Sequence, residues 1–530
     1  MKKHKKLCYY ILTTVIMLTA IFLHTYKLAT LPTALNVDEA GLWYNVRCLL
    51  NWGIDQKGNS WPVLFANIWG EQSPAYTYLA FICCKIFGQS LFAIRLPAVI
   101  NTTLTMIFGL LIVDKIFKNK KINLLYLCLF LITPYFTIIS KMALDCNLML
   151  GFSTVFLYCF LKSLETRNIR WYFVAGITCG LTFYTYALSY LMIPVFLIFS
   201  LVYLVLFKKI TVKEIVVFFM PAFILGLPLL MVQLVNILGW EEFQILGITF
   251  TKFDTVRNGE FAFSISNIIF NLTCSLIYVF KGLNGSIYNV PCGYLLYPTS
   301  VLILFGIVFL ARDFVKSLKT KEFKDINVVL FWAASVILVI SILNGGRDVY
   351  QQCAIYFAYL IFAIYAIIAV SEMIKHESAR KAFAILLSIV YFVSFAYWGH
   401  FYFVKYDEFA SETKLMADVV PDELNELDGQ TYFLKHYVYY QATYCIEPSE
   451  FNATDDNPFL YKNIIFNDYL LEDTSINESC NYVIYYKDFE KMRYLEEYDF
   501  EVEQIGSYLF YKTKALKSCN DNSDNIREIK

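Results

Sequence analysis

Several patterns that would assign this chain to other protein classes are missing from its 530 residues. Its 44 Lys and Arg residues balance 44 Asp and Glu residues, so the formal net charge is zero and nothing indicates a nucleic-acid partner. Its 14 cysteines show neither paired Cys-x-x-Cys motifs nor the Cys/His spacing of a structural zinc site. A Gly-rich nucleotide loop and a transporter-like inverted repeat are also not evident. These absences argue against a nucleic-acid-binding protein, a structural zinc protein and a transporter built from inverted repeats.

Long hydrophobic runs are abundant instead. The apolar fraction is 58% and the mean hydropathy is +0.52. Runs of about 17–22 residues recur along the first 400 positions, enough to cross a bilayer core of about 30 Å. The first run lacks a small-residue cleavage site and is interpreted as a retained span. The predicted spans are 7–23, 94–114, 122–139, 147–162, 171–187, 189–207, 214–235, 295–311, 327–343, 353–371 and 381–400.

Segment 75–89 is too short for a comfortable crossing, carries Lys85 and ends in Gly88–Gln89. If it lies in the interface, the basic clusters near 115–121, 162–170, 208–213, 312–324 and 375–381 all face the cytoplasm. If it crosses, every one of these clusters faces outward, against the positive-inside rule. We therefore predict a multi-pass cell-membrane protein with a cytoplasmic N-terminus.

The predicted fold is an α-helical polytopic membrane protein. It has about 11 transmembrane helices, interfacial helices in the first outer loop and a small extracytoplasmic C-terminal α/β domain. The predicted divisions are a transmembrane catalytic module at 1–400, a connector at 401–424, the α/β domain at 425–513 and a disordered tail at 514–530.

Ionisable groups gather in the turns predicted to face outward, whereas charges within the apolar runs are scarce. We expect packed spans to bring these turns around one cavity at the outer leaflet. A carboxylate there can take a hydroxyl proton as a general base, and an arginine can hold phosphate oxygens. The candidate residues are the pair Asp38 and Glu39, then Glu71 and Gln72, then Lys141 and Asp145, and finally Arg347 and Tyr350.

Each of these residues also has an ordinary interpretation. The Asp38–Glu39 pair and Glu71 suit solvated loops, and Asp145 could cap the helix that follows it. Lys141 could extend its ammonium to the interface, and Arg347 could form a local ion pair with Asp348. The shared side and depth of these residues favour a functional site.

The order of these pieces resembles the glycosyltransferase C superfamily. The likeness rests on a first span followed by the Asp38–Glu39 pair, then Glu71-x-x-Pro74 before an aromatic helix, Arg95-Leu-Pro97, and Lys141-x-x-x-Asp145. It is similar to the protein O-mannosyltransferase and lipid A aminoarabinose-transferase group, and equally to rhizobial lipopolysaccharide galacturonosyltransferases. The likeness is clearest over 7–205 and looser over 206–400.

The resemblance implies roles for the candidate residues. Asp38 would be the catalytic base, supported by Glu39, while Glu71 and Asp145 would line a sugar site. Arg347, with Lys141 as a second contact, would hold a lipid-linked phosphate.

This chain also departs from the family pattern. Relatives often carry a basic residue at Gln72, a second proline at Ser73 and an arginine at Lys141. A lysine common in relatives is absent after Gly180-Leu, where Tyr184 or Tyr186 could supply a hydrogen bond to the phosphate instead.

The implied reaction is inverting transfer of a sugar from a polyprenyl-phosphate donor to an acceptor hydroxyl on a protein, glycan or glycolipid at the outer face. No cofactor is expected to be required, although the nearby carboxylates could hold a divalent cation. The alternatives are a multi-span transporter or lipid flippase, a polysaccharide ligase or polymerase, and a non-catalytic sensor. A transporter would place ionisable residues inside its spans, and a ligase would concentrate arginines in a large outer loop.

Overall fold

A computed structural model describes most of the chain. The described residues are 2–32, 35–67, 70–253, 263–280, 293–343, 349–405, 420–435, 437–450, 460–467, 476–506 and 508–514.

Helices dominate the first 400 residues, in keeping with the predicted class. The described helices are α1 Lys2–Thr25, α2 Val37–Asn51, α3 Pro74–Phe87, α4 Leu91–Phe117, α5 Lys120–Ile132, α6 Pro134–Ile139, α7 Asp145–Thr166, α8 Ile169–Thr182, α9 Ser189–Leu206, α10 Val212–Leu238, α11 Ile265–Phe280, α12 Tyr297–Thr320, α13 Ile326–Ser341, α14 Tyr356–Met373, α15 Glu377–His400 and α16 Tyr437–Tyr444.

Each predicted span falls largely on one of these helices, except that 122–139 is divided between α5 and α6. The break comes at Thr133, because Pro134 cannot donate the hydrogen bond that would continue α5. Seven helices in the described part of the chain are long and apolar enough to cross a membrane. The predicted class is confirmed, and the count of eleven crossings stays a prediction.

Two short apolar helices bear on the predicted loops. α3 is 14 residues long, about 21 Å, which is shorter than a bilayer core. α11 has 16 residues and lies between the predicted spans 214–235 and 295–311, so it is also short for a crossing.

The chain divides into two compact units. The first contains residues 1–32 and 60–409, and the second contains 33–59 and 410–530. The sequence analysis had placed 33–59 in the transmembrane module. The second unit is therefore assembled from two pieces that lie far apart in sequence.

In the first unit, glycine allows helices to approach closely. A Cβ at Gly306 of α12 would overlap the carbonyl group of Phe362 in α14, and one at Gly176 of α8 would overlap that of Phe218 in α10. Two small antiparallel hairpins also belong to this unit, β1 Phe65–Asn67 with β2 Gly70–Gln72, and β3 Phe243–Ile245 with β4 Ile248–Phe250.

The second unit contains a six-stranded mixed sheet, which confirms the predicted C-terminal α/β domain. Its strand order is β6-β7-β5-β8-β10-β9. β5 pairs in parallel with both β7 and β8, and the outer pairs are antiparallel. The strands are β5 Thr431–Phe433, β6 Leu460–Tyr461, β7 Ile464–Phe466, β8 Asn481–Tyr485, β9 Phe500–Ile505 and β10 Tyr508–Thr513.

Candidate active site

The acidic pair lies in the first turn of α2, in the second unit. Asn36 caps this helix, and its side chain accepts a hydrogen bond of 2.7 Å from the backbone N–H of Glu39. Glu39 is 0% exposed, whereas Asp38 is partly exposed. The backbone N–H groups and the dipole at a helix N-terminus favour acidic side chains in the first turn. Asp38 is the member of the pair that solvent reaches.

Contacts with the C-terminal domain fix the direction of α2. The Tyr44 hydroxyl donates a hydrogen bond of 2.6 Å to the carbonyl of Ile446. The Arg47 guanidinium donates bonds of 2.7 and 3.0 Å to the carbonyls of Ala442 and Thr443, near the end of α16. These carbonyls lie where helices leave acceptors unsatisfied, so α16 gains a cap while α2 gains an anchor.

In the first unit, Glu71 and Gln72 lie on β2, opposite Ala66 and Phe65 of β1. The carboxylate of Glu71 accepts a hydrogen bond of 3.2 Å from the side-chain amide of Gln233 in α10. Gln72 is only 4% exposed, and its side-chain oxygen has no hydrogen-bond partner in the described structure.

Asp145 begins α7 and joins it to the start of α3. One carboxylate oxygen accepts a hydrogen bond of 2.7 Å from the N–H of Cys146, and the other accepts one of 3.2 Å from the N–H of Ser73. Asp145 thus contacts the N-terminus of its own helix and, in addition, the residue that follows Gln72. The carboxylates of Glu71 and Asp145 are therefore brought to the same end of α3.

Tyr184 reaches the same region but through its backbone. Its carbonyl accepts a hydrogen bond of 3.1 Å from the N–H of Ala75, while its hydroxyl donates one of 2.6 Å to the carbonyl of Leu225 in α10. Tyr186 is buried. The hydroxyl of Tyr184 is thus used within the protein, which does not support its predicted contact with a phosphate.

Lys141 has a different setting from the one expected of a phosphate ligand. It is 0% exposed, and its ammonium donates to the carbonyls of His24 and Tyr26 at the end of α1. Burial, with the nearby Arg95 guanidinium, lowers the pKa of this ammonium from 10.5 to about 7. Both its burial and its two bonds assign Lys141 to holding the α6–α7 turn against α1.

A cavity of about 530 Å³ lies between α8, α9 and α10 in the first unit. Its walls are almost entirely apolar, with residues such as Phe183, Leu197 and Phe223. Gln233, the partner of Glu71, also lines this cavity. An apolar space of this size therefore adjoins the side chain that contacts the Glu71 carboxylate.

Comparison with known proteins identifies the architecture. A family model described as dolichyl-phosphate-mannose-protein mannosyltransferase matches residues 71–235. The structure of ArnT from Cupriavidus metallidurans bound to undecaprenyl phosphate superposes with a TM-score of 0.57 at 12% identity, covering 94% of this chain and 97% of that one. The chain has the glycosyltransferase C fold.

Two further structures agree with this fold. ArnT from Cupriavidus metallidurans in the apo state gives a TM-score of 0.54 at 11% identity, covering 96% of this chain and 98% of that chain. The archaeal oligosaccharyltransferase AglB from Archaeoglobus fulgidus, in complex with an inhibitory peptide and a dolichol-phosphate, gives 0.50 at 14% identity, covering 96% and 75%. No curated protein sequence matches the chain significantly. The resemblance to the glycosyltransferase C superfamily is confirmed.

Within this glycosyltransferase C fold, the side chains of two predicted site residues lie outside the described structure. Arg347 lies outside the described residues, and Tyr350 belongs to a short 3-10 helix, Val349–Ile355, whose backbone alone is described at that position. Among the described residues, no three His, Cys, Asp or Glu side chains lie close enough to hold a metal ion. The expectation that no cofactor is required stays a prediction.

One functional candidate was missed in the sequence. Gln233 was treated as part of an apolar span, although a polar side chain inside such a run is itself a signal of a functional position. Its contact with Glu71 became visible only with the fold.

Proposed function

We propose that this protein is a membrane glycosyltransferase that moves a sugar from a polyprenyl-phosphate donor to an acceptor hydroxyl at the outer face of a cell membrane. The observation that carries the proposal is the near full-length likeness in fold to an ArnT structure that contains undecaprenyl phosphate. The match of residues 71–235 to the dolichyl-phosphate-mannose-protein mannosyltransferase family model supports it.

The chemistry proposed for the second unit rests on Asp38. The acceptor oxygen attacks the anomeric carbon as the bond from that carbon to the phosphate oxygen breaks, which inverts the configuration. The Asp38 carboxylate takes the acceptor proton, and the bonding electrons leave with the polyprenyl phosphate. Because that phosphate is already a good leaving group, a general acid is not needed. Glu39, buried next to Asp38 in the first turn of α2, is proposed to support this base.

Donor binding is proposed for the first unit. Glu71, Gln72 and Asp145 would contact sugar hydroxyls around the start of α3, and Arg347, with Tyr350 nearby in sequence, would hold the phosphate. The apolar cavity between α8, α9 and α10 suits an isoprenoid chain. Lys141 is not retained as a phosphate ligand, because its ammonium is already bound to two carbonyls.

Transfer from synthetic donors tests the proposal. Purified protein in nanodiscs is incubated with a panel of polyprenyl-phosphate hexoses and pentoses and with protein, glycan and glycolipid acceptors, with and without EDTA. Released polyprenyl phosphate and glycosylated acceptor are both measured. Wild type is expected to turn over at least one donor, and Asp38→Asn to lower kcat by about 10²- to 10⁴-fold while donor binding persists.

The matched control is Glu377→Gln, an exposed acid in the first turn of α15 that pairs with Lys381 at 2.8 Å. Equal turnover by wild type and Asp38→Asn would refute the assigned base. In sealed proteoliposomes, donor movement across the bilayer without any transfer would instead favour the flippase alternative. Loss of turnover in EDTA would overturn the prediction that no metal is needed.

A further inference from the structure

The second unit contains a polar cleft of about 360 Å³ that no step of the proposed reaction uses. The volume is at the lower end of the range for small-molecule sites. The cleft is walled by the rings of Trp52, Tyr440, Tyr444 and Tyr461. Trp52 directly follows α2, the two tyrosines of α16 are four residues apart and share a face, and Tyr461 ends β6.

Hydrogen bonds hold the three tyrosine rings in place. The Tyr444 hydroxyl donates to the Asp422 carboxylate at 3.0 Å, the Tyr440 hydroxyl donates to the Asn425 side chain, and the Tyr461 hydroxyl lies 3.5 Å from Glu450. The centroid of the Tyr440 ring lies 4.7 Å from that of Tyr444 and 5.8 Å from that of Tyr461. Since their hydroxyls are bound to the protein, the rings are preorganised as cleft walls.

Charged and polar groups complete the lining. Glu447 and Glu450 supply acceptors, Lys462 supplies donors, and Asn425 supplies both. The Lys462 ammonium lies 5.2 Å from the centre of the Tyr461 ring, which keeps it at the same wall. Two carboxylates against one ammonium disfavour an anionic ligand, and so much polar lining disfavours a lipid chain.

A neutral saccharide fits this chemistry. One face of a sugar ring is made of C–H groups that pack on aromatic rings, while its hydroxyls both donate and accept hydrogen bonds. Aromatic walls with carboxylate, amide and ammonium groups at their edges provide both kinds of contact. We propose that this cleft binds a saccharide portion of the acceptor.

The position of the cleft at the end of α2 also sets a minimum length for the acceptor. This step rests on the proposed role of Asp38. Trp52 directly follows α2, and Asp38 lies in the first turn of the same helix, fourteen residues and about 21 Å away along its axis. A single sugar cannot reach both positions. The acceptor is therefore an oligosaccharide or glycan several units long, with its distal units in the cleft.

Binding is tested first, independently of transfer. Full-length protein in nanodiscs is titrated by calorimetry with neutral trisaccharides of glucose, mannose, galactose and N-acetylglucosamine, and with tetralysine as a cationic peptide probe. At least one trisaccharide is expected to bind. Its affinity should fall about tenfold in Tyr461→Ala and several-fold in the milder Glu450→Gln. It should not change in Glu496→Gln, which removes an exposed acid paired with Arg493.

The acceptor role is tested by transfer to saccharides of increasing length. KM is expected to fall as the acceptor lengthens, and Tyr461→Ala should raise KM only for the longer acceptors. If no trisaccharide binds, or if only tetralysine binds, the inference is overturned while the proposed transfer can still stand. Binding that neither cleft variant weakens would also overturn it, because the saccharide would then lie elsewhere. Saccharide binding with no donor turnover would refute the proposed function and the acceptor role, but not the saccharide site.

Discussion

The carboxylate of Asp145 accepts a hydrogen bond from the backbone N–H of Ser73 at 3.2 Å, across 72 residues of sequence. This hydrogen bond ties the first turn of α7 to the start of α3, next to Glu71 and Gln72. A side chain that the sequence presents as a helix cap thus also positions a neighbouring segment of the candidate site.

Replacing Ser73 by proline removes the donor of this bond with little other change. Ser73 has a φ of −65°, the value that proline imposes, and precedes Pro74 at the helix start. We expect Ser73→Pro to lower the free energy of unfolding by about 1 kcal/mol, because loss of the bond exceeds the entropic gain of proline. Denaturation in detergent measures this, with Ser73→Ala as control.

A double-mutant cycle with Asp145→Ala isolates the pair. If the bond is the link, the effects of Ser73→Pro and Asp145→Ala on unfolding and on donor KM should be less than additive. Strict additivity would show that the two residues act independently.

Lys141 should make stability depend on pH in a defined direction. Its pKa is about 7 in the fold against 10.5 ordinarily, so between these values the unfolded chain binds one more proton than the folded chain. Stability then rises with pH across that window, and below about pH 7 both states carry the proton. Wild type is expected to gain stability from about pH 7 to about pH 9 relative to Lys141→Met.

The same variant leaves the carbonyls of His24 and Tyr26 without this donor, so it should cost about 1–3 kcal/mol in unfolding experiments. Lys381→Met, which removes an exposed lysine paired with Glu377, is the control. It should change neither the free energy of unfolding nor its dependence on pH. Parallel pH profiles for wild type and Lys141→Met would contradict the assignment.

Tyr184→Phe distinguishes a structural hydroxyl from a substrate contact. The hydroxyl donates to the Leu225 carbonyl at 2.6 Å, so its removal should cost about 1 kcal/mol of stability and leave the donor KM unchanged. Steady-state kinetics with a synthetic donor provide the check. A rise in KM of tenfold or more, without loss of stability, would restore the phosphate contact expected from the sequence.

Helix packing in the first unit depends on Gly306. A methyl group there would overlap the Phe362 carbonyl, so Gly306→Ala should destabilise the protein by about 1–3 kcal/mol despite alanine's better helix propensity. Gly399→Ala in α15 meets nothing within 4 Å and should be neutral or stabilising by up to about 1 kcal/mol. Thermal unfolding of the two variants side by side measures the contrast; equal midpoints would contradict the packing.

Apolar runs and charge placement were sufficient to predict the helical membrane class, because span length and loop charge are local properties of sequence. Residues 431–439 alternate in sequence as a strand does, which favoured the predicted α/β domain at 425–513, although 437–444 forms a helix and only 431–433 a strand. Segment 437–444 contains four tyrosines and one valine, residue types that are common in strands. Packing in the folded domain overrides that local preference.

Long-range pairing could not be predicted in the same way. Glu71 was recognised as a candidate, yet its partner Gln233 is 162 residues away. The family resemblance implied a phosphate contact for Lys141, whereas its partners are backbone carbonyls, which carry no residue-specific signal. The membership of 33–59 in the second unit was hidden for the same reason, because its contacts are made with residues near 442–446.

Because the second unit consists of residues 33–59 and 410–530, it can assemble only late in translation. The helix that bears Asp38 leaves the ribosome among the first segments, but the carbonyls that anchor Tyr44 and Arg47 are synthesised about 400 residues later. At about 5–20 residues per second, α2 waits roughly 20–80 seconds for its partner. A chain that ends before residue 442 therefore lacks the carbonyls that anchor α2, even when the apolar helices of the first unit have already been synthesised.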